Sequence, residues 1–304
     1  MTRKPYQSSF KQSGIDLPLP YINVLKSIAI LGVLLFHFIP KQFKYGYLGL
    51  DLFFVITGFL IQKKLKTLQS EKFLAHFLIN RFRRLVPPLA FMLFGCWIFG
   101  YLTLSPKSLF SLSRDLVMAV LFNSDIYYMK NIEYFDFDSR TIPLLHTWSL
   151  GSEFKFLLLW SSLFFMCKKI GMQSRNIAFF LLMVSLILNF QLQNNFGSYF
   201  LFPLRFYEFM FGVLAFEFYT KLKLRQRKVE SFRVRTISFF LLTLITLFVF
   251  VPTLSEKVSN LLTLFFLKIL FCFISALCLI FINMGDKSII SKAFTFLEIG
   301  RAHV

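Results

Sequence analysis

Residues 37–60, HFIPKQFKYGYLGLDLFFVITGFL, place two ionisable residues between long apolar segments. His37 ends one long apolar segment, a short basic turn follows, and Asp51 opens the next apolar segment. Ionisable groups at membrane depth are costly, so they usually mark a function. The stretch therefore predicts two membrane spans joined by a turn, with a functional histidine and aspartate on either side of it.

The whole composition is that of a membrane protein. Hydrophobic residues make up 56% of the 304 residues and charged residues only 16%, and the mean hydropathy is +0.64. Long apolar runs recur from residue 22 to residue 284, more than one soluble core buries. We therefore predict an all-α, polytopic membrane helix bundle with no large soluble domain.

The apolar runs divide into eight predicted transmembrane spans. Most of them approach the ~20 residues that a helix needs to cross a bilayer. The spans are 22–40, 47–62, 85–104, 143–166, 177–194, 199–219, 236–252 and 260–283. A further short amphipathic segment at 115–122 is predicted to lie at the membrane interface.

The net charge of +19 lies in alternate loops rather than in one patch. Segments 63–84 and 220–235 each carry seven basic residues against one acidic residue, whereas 105–142 carries four against five. By the positive-inside rule, this alternation predicts a multi-pass protein with a cytoplasmic N-terminal tail, residues 1–21, and with His37 outside. It favours anionic membrane lipids, and not nucleic acid, as the partners of the basic residues.

Lys26 and His37 lie eleven residues apart in the first span. At 100° per residue they share one helical face and are ~16 Å apart along the axis. Snorkelling to the inner interface is the alternative for Lys26, and an interfacial bond to a backbone carbonyl is the alternative for His37. Asp51 opens the second span, where the helix dipole favours an acid, and it also suits the orientation of an imidazole.

Segment 143–160, PLLHTWSLGSEFKFLLLW, places His146, either Ser149 or Leu150, and Glu153 on one helical face. A carboxylate two turns inside a span needs a partner or a proton, and Lys155 faces away from Glu153. Trp148 lies at the depth of the aromatic belt, so an interfacial anchor is the ordinary interpretation of it.

Two further groups of charges lie within or beside apolar spans. Arg205 and Glu208 are spaced for an intrahelical ion pair, and the alternative is that they complete a polar cavity. The arginines that open the third span are either a positive-inside anchor or a phosphate-binding patch, because guanidinium groups fit phosphate oxygens. These are Arg81, Arg83 and Arg84.

The cysteines and histidines give no local metal-binding pattern. Cys96, Cys167, Cys272 and Cys278 lie in or beside apolar spans without a C-x-x-C pair, so we predict free, buried thiols. No His-x-x-x-His pair is present, and we expect no metal. A site that tertiary folding assembles is the disfavoured alternative. Its ligands would be His37, Asp51, His146 and Glu153.

Five stretches together resemble the acyltransferase-3 family of integral membrane O-acyltransferases. They follow the family's order and spacing over residues 21–220, and they are VLKSIAILGVLLFHF, GYLGLDLFFVITGFLI, NRFRRLVPPL, PLLHTWSLGSEFKF and FPLRFYEFMFGVLAF. The resemblance implies a fold of roughly ten helices in the bacterial cytoplasmic (inner) membrane. It implies transfer of an acyl group, commonly acetyl from acetyl-CoA, to a hydroxyl of an envelope carbohydrate or lipid-linked glycan. O-antigen of lipopolysaccharide, exopolysaccharide and peptidoglycan are acceptors in the family.

The resemblance also implies roles for particular residues. His37 corresponds to the family's essential histidine, and we predict it to be the catalytic base, with Asp51 or Glu153 orienting its imidazole. The acyl-CoA phosphates are expected at the cations that match or adjoin the family's Arg-x10-His and Arg-x-Arg patterns: Lys26, Arg81, Arg83 and Arg84. Substrate binding is expected at His146, Trp148, Ser149, Arg205 and Glu208.

The sequence departs from the family in three places. Lys26 replaces an arginine, which keeps the charge but loses the bidentate geometry. Phe154 and Lys155 replace an acid and a glutamine after Glu153. The last residues, 298–304, read as a translated sequencing adapter, so we expect an artefactual tail after an incomplete acyltransferase domain at 22–297.

Two other functions suit the same residues. Intramembrane His, Asp, Glu and Arg side chains also fit the substrate path of a transporter or flippase for an envelope precursor. That class predicts an inverted repeat and unwound helices at mid-span, and the sequence contains neither pattern. An inactive, truncated homologue is the second alternative.

Overall fold

A computed structural model describes residues 19–68, 72–131, 142–192, 198–225, 231–250 and 261–284 of the chain. Within those ranges the fold is a bundle of ten α-helices and one 3-10 helix, without β-strands. The α-helices are α1 (Leu19–Phe38), α2 (Leu48–Thr67), α3 (Lys72–Thr103), α4 (Pro106–Val120), α5 (Ser124–Asn131), α6 (Thr147–Ile170), α7 (Ser174–Leu192), α8 (Phe202–Arg225), α9 (Ser231–Phe250) and α10 (Leu261–Met284). The predicted all-α helix bundle is confirmed. Residues 1–18 of the predicted tail, and all of 298–304, lie outside the described residues.

Several helices have the length and composition of membrane spans. Within the described residues, four helical segments are long enough and apolar enough to cross a membrane: Leu74–Thr103, Thr147–Ile170, Ser174–Leu192 and Leu264–Ile282. The segments Ile22–Phe38 and Thr236–Thr246 are shorter apolar helices. The chain is therefore a multi-pass membrane protein.

The predicted loop at 63–84 is wrong, because helix occupies most of it. Helix α2 continues to Thr67, and α3 begins at Lys72 and runs through the two prolines, Pro87 and Pro88. Lysine, arginine and leucine are good helix formers, and a membrane-embedded helix tolerates proline where neighbouring groups satisfy the freed carbonyls. The three arginines of this segment therefore stand on a helix that continues into the third span.

Most of the predicted interfacial segment at 115–122 belongs to the longer helix α4, which ends at Val120. The side chain of Ser105 caps this helix by accepting a hydrogen bond from the backbone N–H of Ser108 at 3.4 Å, and Pro106 occupies the first turn. This pairing of a serine cap with a proline is a common start signal for helices. The short helix α5 has no counterpart among the predicted spans.

Helices α2 and α8 pack with their backbones in close contact. A Cβ atom on Gly58 would lie 2.0 Å from the carbonyl oxygen of Phe209, and one on Gly212 would lie 1.9 Å from that of Val55. Small residues allow such approach, which is the usual way that helices pack in membranes. On its other side α2 packs against α1, where Gly49 faces the carbonyl oxygen of Ala29.

The helix ends define two faces of the bundle. At the basic face α2, α6 and α8 end and α1 and α7 begin, with Lys66 and Lys168 in the last turns of α2 and α6. At the opposite face α1 ends and α2, α6 and α8 begin. The functional side chains lie between these two faces.

Candidate functional site

Two histidines meet at the opposite face. His37 lies in the last turn of α1, and His146 directly precedes α6. Their ring centroids are 4.5 Å apart, with the planes inclined at 64°, and both residues are exposed. Two imidazoles this close repel each other when both are protonated, so the pair holds one proton more readily than two. Sequence spacing does not reveal this contact, because the two residues belong to different spans.

Glu153 has a partner from another helix. Its carboxylate is buried and forms an ion pair and a hydrogen bond with the guanidinium of Arg81 on α3. Glu153 follows His146 by two helical turns, which places it ~10 Å farther from the opposite face. Lys155, which the spacing excludes as a partner, instead pairs with Asp125.

Lys26 belongs to the same neighbourhood. The charges that act on it are those of Arg81, Glu153 and Arg84. The predicted face of α1 therefore points toward charged side chains of α3 and α6, with His37 near one end of the stripe and Lys26 deeper in the bundle. We call this set of five residues the polar path. It consists of His37, His146, Glu153, Arg81 and Lys26.

The remaining arginines of α3 lie on its surface. Arg83 and Arg84 are exposed, and Arg84 is close enough for its charge to act on Lys26. Ser149 has a local role, because its hydroxyl donates to the carbonyl oxygen of His146 at 2.9 Å. This bond closes the turn that presents the His146 ring.

Asp51 lies in a different place, in the first turn of α2 as predicted. It is fully buried, and its Oδ1 accepts a hydrogen bond from Nη2 of Arg205 at 3.0 Å. Nη1 of Arg205 lies 2.8 Å from Oε1 of Glu208, so the intrahelical ion pair is present. One guanidinium is thus held between two carboxylates, which balances the cost of burying each of them.

The sequence interpretation missed Lys268 on α10. Its Nζ lies 4.9 Å from the ring centroid of Tyr199, and the charges that act on it include those of Arg205, Asp51 and Glu208. Its signal was a lone lysine in the middle of a highly apolar span, a position that usually marks a function or a partner. The four residues Asp51, Arg205, Glu208 and Lys268 form a set of two acids and two bases, which we call the buried charge cluster.

The buried charge cluster supports the start of α6. The guanidinium carbon of Arg205 lies 4.5 Å from the ring centroid of Tyr199 and 5.5 Å from that of Trp148. Trp148 is 1% exposed and packs edge-on against Tyr199 and Phe200, so the interpretation as an interfacial anchor is wrong. Because Trp148 follows His146 by two residues, the cluster fixes the turn that carries this histidine.

The cysteines and carboxylates do not build a metal site in the described ranges. No group of three His, Cys, Asp or Glu side chains lies there in a position to hold a metal ion. The four cysteines are free thiols, as predicted, and three of them are buried. Asp51 and Glu153, which the alternative metal site needs beside His37, are paired with Arg205 and Arg81.

Comparison with protein families gives the site its context. The model of the acyltransferase-3 family, described as "Acyltransferase domain", matches residues 19–301. The chain belongs to the acyltransferase-3 family. All five motif stretches of this family member lie inside the match, as do both the polar path and the buried charge cluster.

Two curated relatives of this acyltransferase-3 protein carry specific names. The O-acetyltransferase OatA of Staphylococcus aureus is 30% identical over 259 residues, which are 80% of this chain and 42% of that protein. The peptidoglycan O-acetyltransferase OatA of Listeria monocytogenes is 34% identical over 146 residues, which are 46% of this chain and 23% of that protein. The chain spans less than half the length of either relative. No solved structure matches the chain.

Proposed function

We propose that this protein is a membrane O-acetyltransferase, which moves an acetyl group from acetyl-CoA to a hydroxyl of a cell-envelope carbohydrate. The observation that carries the proposal is the polar path, with an exposed imidazole pair at one end and arginine and lysine side chains deeper in the bundle. The family and the names of the two relatives support acetyl as the group and a glycan as the acceptor.

Cations along α1 and α3 would receive the phosphates of the acyl donor. Arg81 is held by Glu153, which fixes the direction of its guanidinium, while Arg83 and Arg84 remain exposed on α3. Guanidinium groups bind phosphate oxygens through paired hydrogen bonds, and Lys26 adds a point charge. Glu153 therefore acts on the donor through Arg81 rather than by touching the reacting atoms.

His37 would act as the general base. A sugar hydroxyl is a poor nucleophile at neutral pH, so the imidazole takes its proton as the oxygen attacks the carbonyl carbon of the thioester. The carbon–sulfur bond then breaks, and the imidazolium returns its proton to the departing thiolate. His146 touches the His37 ring and favours the neutral imidazole that this step needs.

Asp51 would act from a distance. Its carboxylate is committed to Arg205, which lies against Trp148 two residues beyond His146. We therefore give Asp51, Arg205 and Glu208 a positioning role, in which they hold the turn that carries His146. The acceptor would contact the exposed pair His37 and His146 and not the buried charge cluster.

The test is transfer of radiolabelled acetyl from acetyl-CoA to glycan fragments by the purified protein in liposomes. We expect label in peptidoglycan or polysaccharide fragments, in proportion to the amount of protein. Uptake of a glycan precursor without any labelled product would support a transporter and contradict the proposal. Protein that is folded but neither labels nor transports a glycan would indicate an inactive homologue.

A further inference from the structure

A second polar site lies at the basic face, between the ends of α2, α6 and α8 and the start of α7. It is a cavity of about 340 Å³, within the range of ~300–1,000 Å³ that is typical of small-molecule sites. Lys168, which lines it, follows Glu153 by fifteen residues on α6, or ~22 Å along the helix axis. The cavity is therefore separate from the polar path.

The lining of the cavity is strongly basic. Four cationic side chains face it against a single acid, Glu217. The cationic residues are Lys66, Lys168, Arg175 and Lys221. This excess of positive charge in a concave site at the ends of three helices favours an anionic ligand.

A hydrogen-bond network fixes the acid in the wall of the cavity. Oε1 of Glu217 accepts a hydrogen bond from the hydroxyl of Ser174 at 2.8 Å and a second one from the side-chain amide of Gln62. Nε1 of Trp160 donates to Oε1 of Gln62 at 2.9 Å, and both residues are fully buried. Nζ of Lys66 lies 3.0 Å from the same carboxylate oxygen. The negative charge of Glu217 is thus engaged by the wall, and three further cationic side chains, Lys168, Arg175 and Lys221, line the same cavity.

Apolar side chains line the cavity beside these cations. They are Leu65, Leu68, Phe164 and Met172, and Met172 is 50% exposed. Apolar side chains next to lysines at a helix end suit a ligand that carries both acyl chains and a charged head. A phospholipid has this character, whereas a free phosphate ion does not.

We propose that this cavity binds a phosphate group at headgroup depth, supplied by an anionic phospholipid whose acyl chains lie along the end of α6. The site is independent of acetyl transfer, because it involves none of the residues of the polar path. A soluble phosphate, such as the phosphates of coenzyme A, has the same chemistry and is the source that the experiment must separate.

The test compares two variants with the same loss of charge. Lys168→Gln/Lys221→Gln removes two cations that line the cavity, and Lys64→Gln/Lys169→Gln removes two exposed cations of the basic face that do not line it. Each protein is purified in detergent with phosphatidylglycerol and phosphatidylcholine, and retained lipid is counted by native mass spectrometry. Binding of coenzyme A is measured on the same samples by titration calorimetry.

We expect the wild type and the control to retain phosphatidylglycerol in preference to phosphatidylcholine. The cavity variant should lose this preference by about tenfold or more, since each of its two lysines changes the affinity for an anionic headgroup by about fivefold. Specific loss of coenzyme A binding with unchanged lipid retention would overturn the lipid assignment in favour of a soluble phosphate. Equal retention of lipid and equal binding of coenzyme A by both variants would overturn the site itself. If the double variant fails to fold, Lys221→Gln compared with Lys64→Gln, both at exposed positions, gives the same comparison.

Discussion

Replacing His37 with alanine should reduce acetyl transfer to glycan by a factor of ~10²–10⁴, the usual contribution of a general base. The physical reason is that a base near neutral pH must accept the proton of the attacking alcohol, and imidazole is the side chain suited to this. In the polar path only His37 and its neighbour His146 carry an imidazole. Because His37 is exposed, the variant should reach the same amount in membranes as the wild type. The measurement is the initial rate of label transfer per molecule of folded protein.

A matched control is available on α3. His76→Ala removes the same kind of side chain from an exposed position outside the polar path, and it should leave the rate unchanged. Wild-type transfer by His37→Ala would eliminate the base role. A larger loss in His146→Ala than in His37→Ala would assign the base to the other imidazole of the pair.

Replacing Arg205 with methionine should destabilise the protein by about 3–5 kcal/mol, the usual result of removing one partner of a buried ion pair. Arg205 is 2% exposed and lies between Asp51 and Glu208, so the variant leaves two buried carboxylates with Lys268 as the remaining cation of the cluster. The expected result is a large fall in the amount of folded protein in membranes and in its midpoint of thermal unfolding.

The double variant Asp51→Asn/Arg205→Met tests whether charge balance is the cause. It keeps one acid, Glu208, and one base, Lys268, and should therefore recover part of the folded protein that Arg205→Met loses. If Asp51→Asn lowers the free energy of unfolding of Arg205→Met further instead of raising it, side-chain packing and not charge balance stabilises this region. Unchanged stability of Arg205→Met would contradict the buried charge cluster altogether.

Sequence predicted the helices more completely than the contacts between them. Apolar runs of span length identify most helices, and the eleven-residue spacing places Lys26 and His37 on one face of α1. The partners of Glu153 and Asp51 come from α3 and α8, and no local periodicity encodes such contacts. Helix α5 was missed because its eight residues contain no long apolar run.

The departures from the family pattern after Glu153 have a structural explanation. Lys155 pairs with Asp125 and also donates to the side chain of Asn123 at 3.0 Å, while Phe154 stacks on Phe122 with ring centroids 4.5 Å apart. Both replacements therefore pack α6 against the turn between α4 and α5 and against the start of α5. Glu153 keeps its own partner, so its place in the polar path does not depend on these two positions.

Acetyl transfer across a sealed membrane tests the polar path most directly. Glycan acceptor is trapped inside protein-containing liposomes, and radiolabelled acetyl-CoA, which does not cross the bilayer, is added outside. If the cations of α1 and α3 bind the donor from one side and the histidine pair binds the acceptor from the other, the wild type should label acceptor inside the liposomes. His37→Ala should label ~10²–10⁴-fold less. Labelling that occurs only when donor and acceptor share one side of the membrane would contradict this arrangement.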